Sequence, residues 1–198
     1  MNKKLVLRLF EIGAVKFGSF TLKSGMVSPI YIDLRLLASY PGLLKAVARE
    51  MGKKLRKLQC DRIAGIPYAA LPIATALALL ANKPMIYTRK ELKDYGTKKI
   101  IEGEYKAGER IVVIDDLVTT AKSKFEAIEP LLQEGLIVKD IIVLIDREQG
   151  GGEQLRERGL MLHACIELRK MLRLLLKNGK IDAEKYKEVL AFLSQNRA

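Results

Sequence analysis

Two adjacent carboxylates, Asp115 and Asp116, precede a run of small hydroxylated residues that includes Thr119, Thr120 and Ser123. Ionised carboxylates only accept hydrogen bonds, so the pair suits sugar hydroxyls rather than phosphate oxygens. The hydroxyls, together with free backbone N–H groups at a helix start, suit an anionic phosphate. The whole stretch therefore reads as a cradle for a phosphorylated sugar. Its supports are legible on either side. Residues 110–114, Arg-Ile-Val-Val-Ile, form an apolar β-branched run, the mark of a strand buried on both faces of a parallel sheet, and the two acids end it. Residues 121–134 read as an amphipathic helix with Phe125, Ile128, Leu131 and Leu132 on one side. A buried strand whose terminal acids merely cap the next helix would account for the same residues, and this stretch alone gives the two readings equal weight.

At 198 residues the chain is long enough for one α/β domain with a proper core. Its 35 basic against 23 acidic residues give a formal charge of +12, which favours an anionic partner such as nucleic acid, polyphosphate or an acidic metabolite. The cations are spread along the chain, so no basic arm or RNA-binding signature stands out and no specific nucleic acid is expected. Cys60 and Cys165 are too far apart for metal-ligand or redox spacing, which fits a reduced, cytoplasmic protein. His163 is the only histidine and lies in an apolar run, so it reads as structural. The N-terminus lacks an adequate signal-peptide core, and the apolar stretch 69–81 is too short to span a membrane, so it reads as a core helix.

Along the chain, residues 3–13 predict a short amphipathic helix stopped at Gly13, and residues 15–25 predict a hairpin around Gly18-Ser19. Residues 29–33 read as a strand. A helix runs from about Ser39, a plausible N-cap, to about Leu58. Strands at 62–66, 84–88, 110–115, 137–145 and 160–166 then alternate with helices at 70–81 and 121–134, and two helices at 168–177 and 182–195 close the chain. This rhythm predicts an α/β fold with a mostly parallel central sheet covered by helices on both faces. Residues 1–35 depart from the rhythm and predict a hood over the sheet's edge, with 36–198 as the core of a single domain. The long connection 89–109 carries Arg89, Lys90, Lys93, Lys98 and Lys99, and a structureless loop of that length beside a strand end is usually functional.

Read together, these segments resemble one family. Residues 17–25 (Phe-Gly-Ser-Phe-Thr-Leu-Lys-Ser-Gly) and 28–35 (Ser-Pro-Ile-Tyr-Ile-Asp-Leu-Arg) look like the N-terminal signature of orotate phosphoribosyltransferases. The likeness continues through residues 65–75, 89–97, the acidic-pair stretch, and Asp146-Arg147-Glu148-Gln149-Gly150-Gly151, in the family's order. The acidic pair alone would mark only the wider type I phosphoribosyltransferase superfamily, whereas the hood and the segment around Arg147 single out orotate.

The resemblance implies a type I phosphoribosyltransferase fold. It also implies transfer of the 5-phosphoribosyl group of phosphoribosyl pyrophosphate (PRPP) to orotate, giving orotidine 5′-monophosphate and pyrophosphate in pyrimidine (UMP) biosynthesis. Mg²⁺ would ride on PRPP, with no direct protein ligand. Residues Leu117, Val118, Thr119, Thr120, Ala121, Lys122 and Ser123 would form the PRPP loop, and Asp115 and Asp116 would hold the ribose. Arg89, Lys90 and Lys93 match a mobile clamp over pyrophosphate that is completed across a homodimer, with Lys93 as a catalytic residue beside the acids. Tyr68 belongs to the loop beneath pyrophosphate. Lys23, Tyr31, Ile32, Thr119 and Arg147 would meet orotate. Because the chain ends at Ala198, the resemblance implies no fused decarboxylase.

Some positions depart from the family pattern. Ala121 stands where a glycine is expected; in a positive-φ conformation alanine would cost on the order of 1 kcal/mol. Lys122 replaces a small residue, Tyr95 a histidine of some members, and Ala69 a lysine. An altered cradle of this kind leaves a catalytically weakened, PRPP-binding regulatory protein as the alternative.

Overall fold

The computed structural model describes residues 2–22, 25–89 and 100–197. Helix α1 (Lys3–Glu11) is capped by the Asn2 side chain, which accepts from Leu5 N–H, and the chain leaves it through Gly13 at φ 74°. Strands β1 (Val15–Thr21) and β2 (Val27–Ile32) pair antiparallel as a separate two-stranded sheet. Gly18-Ser19 does not turn this hairpin. It lies inside β1, where the register shifts between Phe17 and Phe20, and the reversal comes later, with Leu22 N–H donating to Met26 O at 2.8 Å. A 3-10 helix, Leu34–Ser39, follows, so Ser39 closes that helix instead of capping the next; α2 (Pro41–Leu55) starts from Tyr40 without a side-chain cap.

The remaining elements are β3 (Arg62–Gly65), α3 (Ala70–Ala81), β4 (Met85–Thr88), β5 (Ile101–Glu102), β6 (Arg110–Val118), α4 (Lys122–Gln133), β7 (Ile137–Asp146), α5 (Gly151–Glu157), β8 (Met161–Glu167), α6 (Leu168–Lys177) and α7 (Ala183–Gln195). Six strands form one sheet in the order β5-β4-β3-β6-β7-β8, parallel except where β5 runs antiparallel to β4. Besides the 3-10 helix, the sequence pattern missed two elements. Strand β5 is too short to show a period, and α5 opens on Gly151 and Gly152, which disfavour helix. The acids do not end β6 either, because pairing with β7 continues through Leu117 and Val118.

Alternation along the central strands divides the core. Val112, Ile114, Ile142 and Leu144 face α2, α3 and α6, while Ile111, Val113, Ile141 and Val143 face Ile128 and Leu131 of α4 and Leu155 of α5. The first segment shares the former layer: Leu5, Leu9, Val15 and Ile30 are buried in one cluster with Val47, Met51, Leu172 and Val189. The apolar stretch of α3 is a core helix on one side only, since Ile73 and Leu77 are buried but Leu79 is 81% exposed. Likewise Leu132 of α4 points outward.

Packing is close where α5 meets the end of β6. A Cβ on Gly151 would come within 2.5 Å of Val118 Cγ2 and 2.9 Å of Thr119 O, and the Gly151 N–H donates to that same oxygen at 3.1 Å. Backbone lies in the way, so Gly151→Ala is expected to destabilise the protein by about 1–3 kcal/mol. A urea midpoint unchanged from the unsubstituted protein would contradict this packing.

Candidate active site

Strand β3 lies beside β6, and their onward connections diverge: α3 carries the chain from β3 to β4 on one side, and α4 carries it from β6 to β7 on the other. In an open parallel sheet such a divergence leaves a crevice beyond the strands' carboxyl ends, where ligands bind. Two short connections border it here, 66–69 after β3 and 119–121 after β6, and Ile66 N–H donates to Ile114 O at 3.0 Å at their root. Gly65 lets α3 lie close to β3, because a Cβ there would sit 3.0 Å from Ala74 Cβ and 3.0 Å from Met85 Cε. Tyr68 is exposed on the first of these loops, and the Pro67–Tyr68 peptide is cis.

Asp115 and Asp116 stand at the crevice end of β6 in different surroundings. Asp115 is buried, and both of its oxygens are engaged: Oδ1 accepts from Asp116 N–H at 2.8 Å, and Oδ2 pairs with Lys124 Nζ at 2.6 Å. Asp116 is half-buried, with Oδ1 accepting from Leu117 N–H at 2.8 Å. Desolvation, then the neighbouring Asp115 charge, push the Asp116 carboxyl up to about 7. Lys124 is the residue that sequence reasoning missed. It sits two positions beyond exposed Lys122 and was indistinguishable from a solvated lysine, yet it is buried, with Nζ also 2.8 Å from Leu117 O and 3.4 Å from Ser123 Oγ.

The hydroxyl-rich loop between β6 and α4 holds Thr119 and Thr120 half-buried, with Lys122 and Ser123 exposed in the first turn of α4. Ala121 is buried at φ −85°, an ordinary right-handed conformation, and its carbonyl accepts from Lys124 and Phe125 N–H. The expected backbone strain is therefore absent, because the helix begins early enough for residue 121 to join its geometry, and exposed Lys122 does not fill the loop. Gln154 Oε1, another group with no signal in the sequence, accepts the Ala121 N–H at 2.8 Å and ties the loop to α5.

Arg147 borders the same loop, its N–H donating to Val118 O at 2.9 Å. Its side chain is 7% exposed, and Nε and Nη2 have no hydrogen-bond partner among the described residues. Burial lowers its pKa, but a guanidinium stays protonated, so this fork lacks an anion. In β2, alternation separates the two residues expected at the orotate ring. Ile32 is buried in the core, while Tyr31 is half-buried, stacks on Phe20 with centroids 5.4 Å apart, and receives Arg35 Nη2 on its hydroxyl at 3.1 Å. Arg89 follows β4 and is ion-paired with Glu102. Lys23, Lys90 and Lys93 lie outside the described residues.

The raised Asp116 carboxyl sets a sign for pH dependence. A group whose folded pKa exceeds its unfolded value stabilises the fold below the unfolded value, near 3.8, and loses that contribution as pH rises through about 7. Without ligand, Asp116→Asn is thus expected to melt higher than the unsubstituted protein at pH 8, with the difference shrinking toward pH 5. Thermal melts showing a pH-independent difference would refute the assignment.

A model of the phosphoribosyl transferase domain matches residues 37–157. The chain is 40% identical over 194 residues to orotate phosphoribosyltransferase of Pyrobaculum aerophilum, covering 98% of this chain and 100% of that protein. It is 43% identical over 194 residues to uridine 5′-monophosphate synthase of Bos taurus, covering 97% of this chain but spanning only 40% of that protein's length. The structure of Leishmania donovani UMP synthase superposes with a TM-score of 0.91 at 48% identity, over 98% of this chain and 42% of that one. The likeness extends along nearly the full chain, and the chain belongs to the orotate phosphoribosyltransferase family.

Proposed function

We propose that this chain transfers the 5-phosphoribosyl group of PRPP to a ring nitrogen of orotate, releasing pyrophosphate and forming orotidine 5′-monophosphate, a step of UMP biosynthesis. One observation carries the choice of acceptor: the buried fork of Arg147, without an anion beside the phosphate loop, suits a carboxylate on a planar ring. The loop 119–123 would hold the 5′-phosphate through hydroxyls and the first N–H groups of α4, a helix whose start favours negative charge. Tyr31 would pack against the acceptor ring and Tyr68 would line the pyrophosphate side.

Breaking the anomeric C–O bond develops positive charge on the sugar and negative charge on the leaving pyrophosphate. The residues named here act by holding both reactants in line, stabilising the developing charges and excluding water. Asp116 would face the sugar hydroxyls. Bound Mg²⁺ would supply charge neutralisation at the leaving group. Both oxygens of Asp115 and one of Asp116 are already engaged within the chain, so the remaining acceptors fit a cation held mainly by the donor's own oxygens. Arg89, Lys90 and Lys93 would close over pyrophosphate from the neighbouring subunit of a homodimer, with Lys93 nearest the chemistry and Lys23 approaching from the hood. Free Cys60 and Cys165 are compatible with a cytoplasmic protein, and no helix among the described residues is long and apolar enough to cross a membrane.

Purified protein mixed with orotate, PRPP and Mg²⁺ is expected to consume orotate, read as loss of its ultraviolet absorbance, with one pyrophosphate released per orotate. Saturable PRPP binding without turnover would sink the proposal. The shared-site reading has its own test. Lys93→Ala and Arg147→Ala proteins, each inactive, are expected to recover about a quarter of full activity when their subunits exchange at equal amounts. Mixtures that exchange subunits yet stay inactive would show that each site is built from one chain.

A further inference from the structure

We propose that Lys124 is a positioning residue for the phosphoribosyl donor: its ammonium immobilises Asp115 and the end of β6, leaving Asp116 as the carboxylate that meets the sugar. The inference rests on the proposed reaction and divides labour within the acidic pair, whose members were expected to act alike.

The geometry carries it. Lys124 lies in the first turn of α4, and its three donors reach Asp115 Oδ2 at 2.6 Å, Leu117 O at 2.8 Å and Ser123 Oγ at 3.4 Å. One side chain therefore spans the phosphate loop, joining the strand before it to the helix after it. Asp115 has its other oxygen on the Asp116 N–H, so its carboxylate is held at both ends and is 5% exposed. Such an acid offers little to a ligand. Asp116, whose Oδ1 accepts from the backbone N–H of Leu117, is more open. A buried ion pair is poor evidence of a stability device, because an apolar pair of similar volume often serves as well. Its placement under an anion-binding loop gives it a different task. With Lys124 neutralising Asp115, the crevice presents one carboxylate to a polyanionic donor instead of two, and the loop's N–H groups keep their direction when the donor arrives.

The test uses Lys124→Met, Asp115→Asn and the double variant, with PRPP affinity by calorimetry and steady-state constants for both substrates. Lys124→Met is expected to lower PRPP affinity and kcat/KM for PRPP by about tenfold or more, with KM for orotate within about twofold of the unsubstituted protein. The double variant is expected to lose less than the product of the two single losses, because Lys124 acts in large part through Asp115. A Lys124→Met protein that keeps kcat/KM for PRPP overturns the proposal, as does a double variant whose losses multiply. If Lys124→Met is not recovered folded, the double variant, which removes both buried charges, is compared directly with Asp115→Asn, and a further tenfold loss overturns the proposal. An unsubstituted protein that neither turns over orotate nor binds PRPP overturns the reaction and this inference together, whereas an active protein indifferent to Lys124 overturns only the inference.

Discussion

The parallel pairing of β3 with β6 is the constraint on which the rest of the molecule depends. Arg62 to Gly65 register with Ile111 to Ile114, and from that seam the chain departs in opposite directions along the sheet. Right-handed crossovers then force α3 onto one face and α4 onto the other. The two layers of core, one built on Val112 and Ile114 and the other on Ile111 and Val113, follow from this divergence. So does the crevice, because the connections after β3 and β6 lead away from the seam. Asp115, Asp116 and the loop 119–121 gather there as a consequence of topology. Gly151, with no room for a Cβ against Val118 and Thr119, shows how closely the next element is packed to keep that loop in place.

A second consequence is electrostatic. The crevice concentrates groups that the fold alone leaves poorly matched. Arg147 is buried with two guanidinium nitrogens unpartnered, and Asp116 carries a carboxyl that burial and Asp115 make reluctant to ionise. Each is unfavourable in the free protein and is relieved by a ligand of complementary charge or hydrogen-bonding capacity. The remainder of the chain must offset them, and nearly continuous apolar burial along β6 and β7 provides that surplus. Asp115 is the exception at this end of the sheet. Its partner Lys124 comes from the adjoining helix, so its charge is balanced before any ligand arrives.

Period and apolar content made the buried strands, α3, α4 and the last two helices legible in the sequence, since each signal is local. The extended runs at 15–21 and 29–32 were legible, but not their pairing: the hairpin expected within 15–25 is one strand, β1, which pairs with β2. Gly18-Ser19 is the obvious reversal by composition, whereas the chain uses it as a bulge and turns around Gly25. Strand β5 and helix α5 were invisible because pairing with β4 and packing beneath β6 hold them, not their own propensity. Within the site, the acids, the hydroxyl loop and Arg147 carried signals of type and order. Lys124 carried none: a lysine in a mixed helical pattern is ordinarily solvated, and only the approach of β6 reveals its burial. Ala121 misled for a related reason, because the family's glycine pointed to positive φ while the backbone here needs none.

The net charge of +12 is not concentrated at the crevice. Among the described residues near the crevice, two cations are already matched within the chain: Lys124 answers Asp115 and Arg89 answers Glu102. The excess of cations therefore lies mostly elsewhere, spread over helices such as α2 and α6. Such a distribution steers a polyanion toward the protein over distances comparable to the Debye length, about 8 Å at physiological salt, without fixing where it docks. On the proposed reading, docking falls to oriented, short-range groups: the N–H donors at the head of α4, the hydroxyls of Thr119 and Thr120, and the Arg147 fork. On that reading, attraction and recognition are thus assigned to different parts of the chain. The surface charge is then free to vary in position, while the few groups at the β3–β6 seam are not.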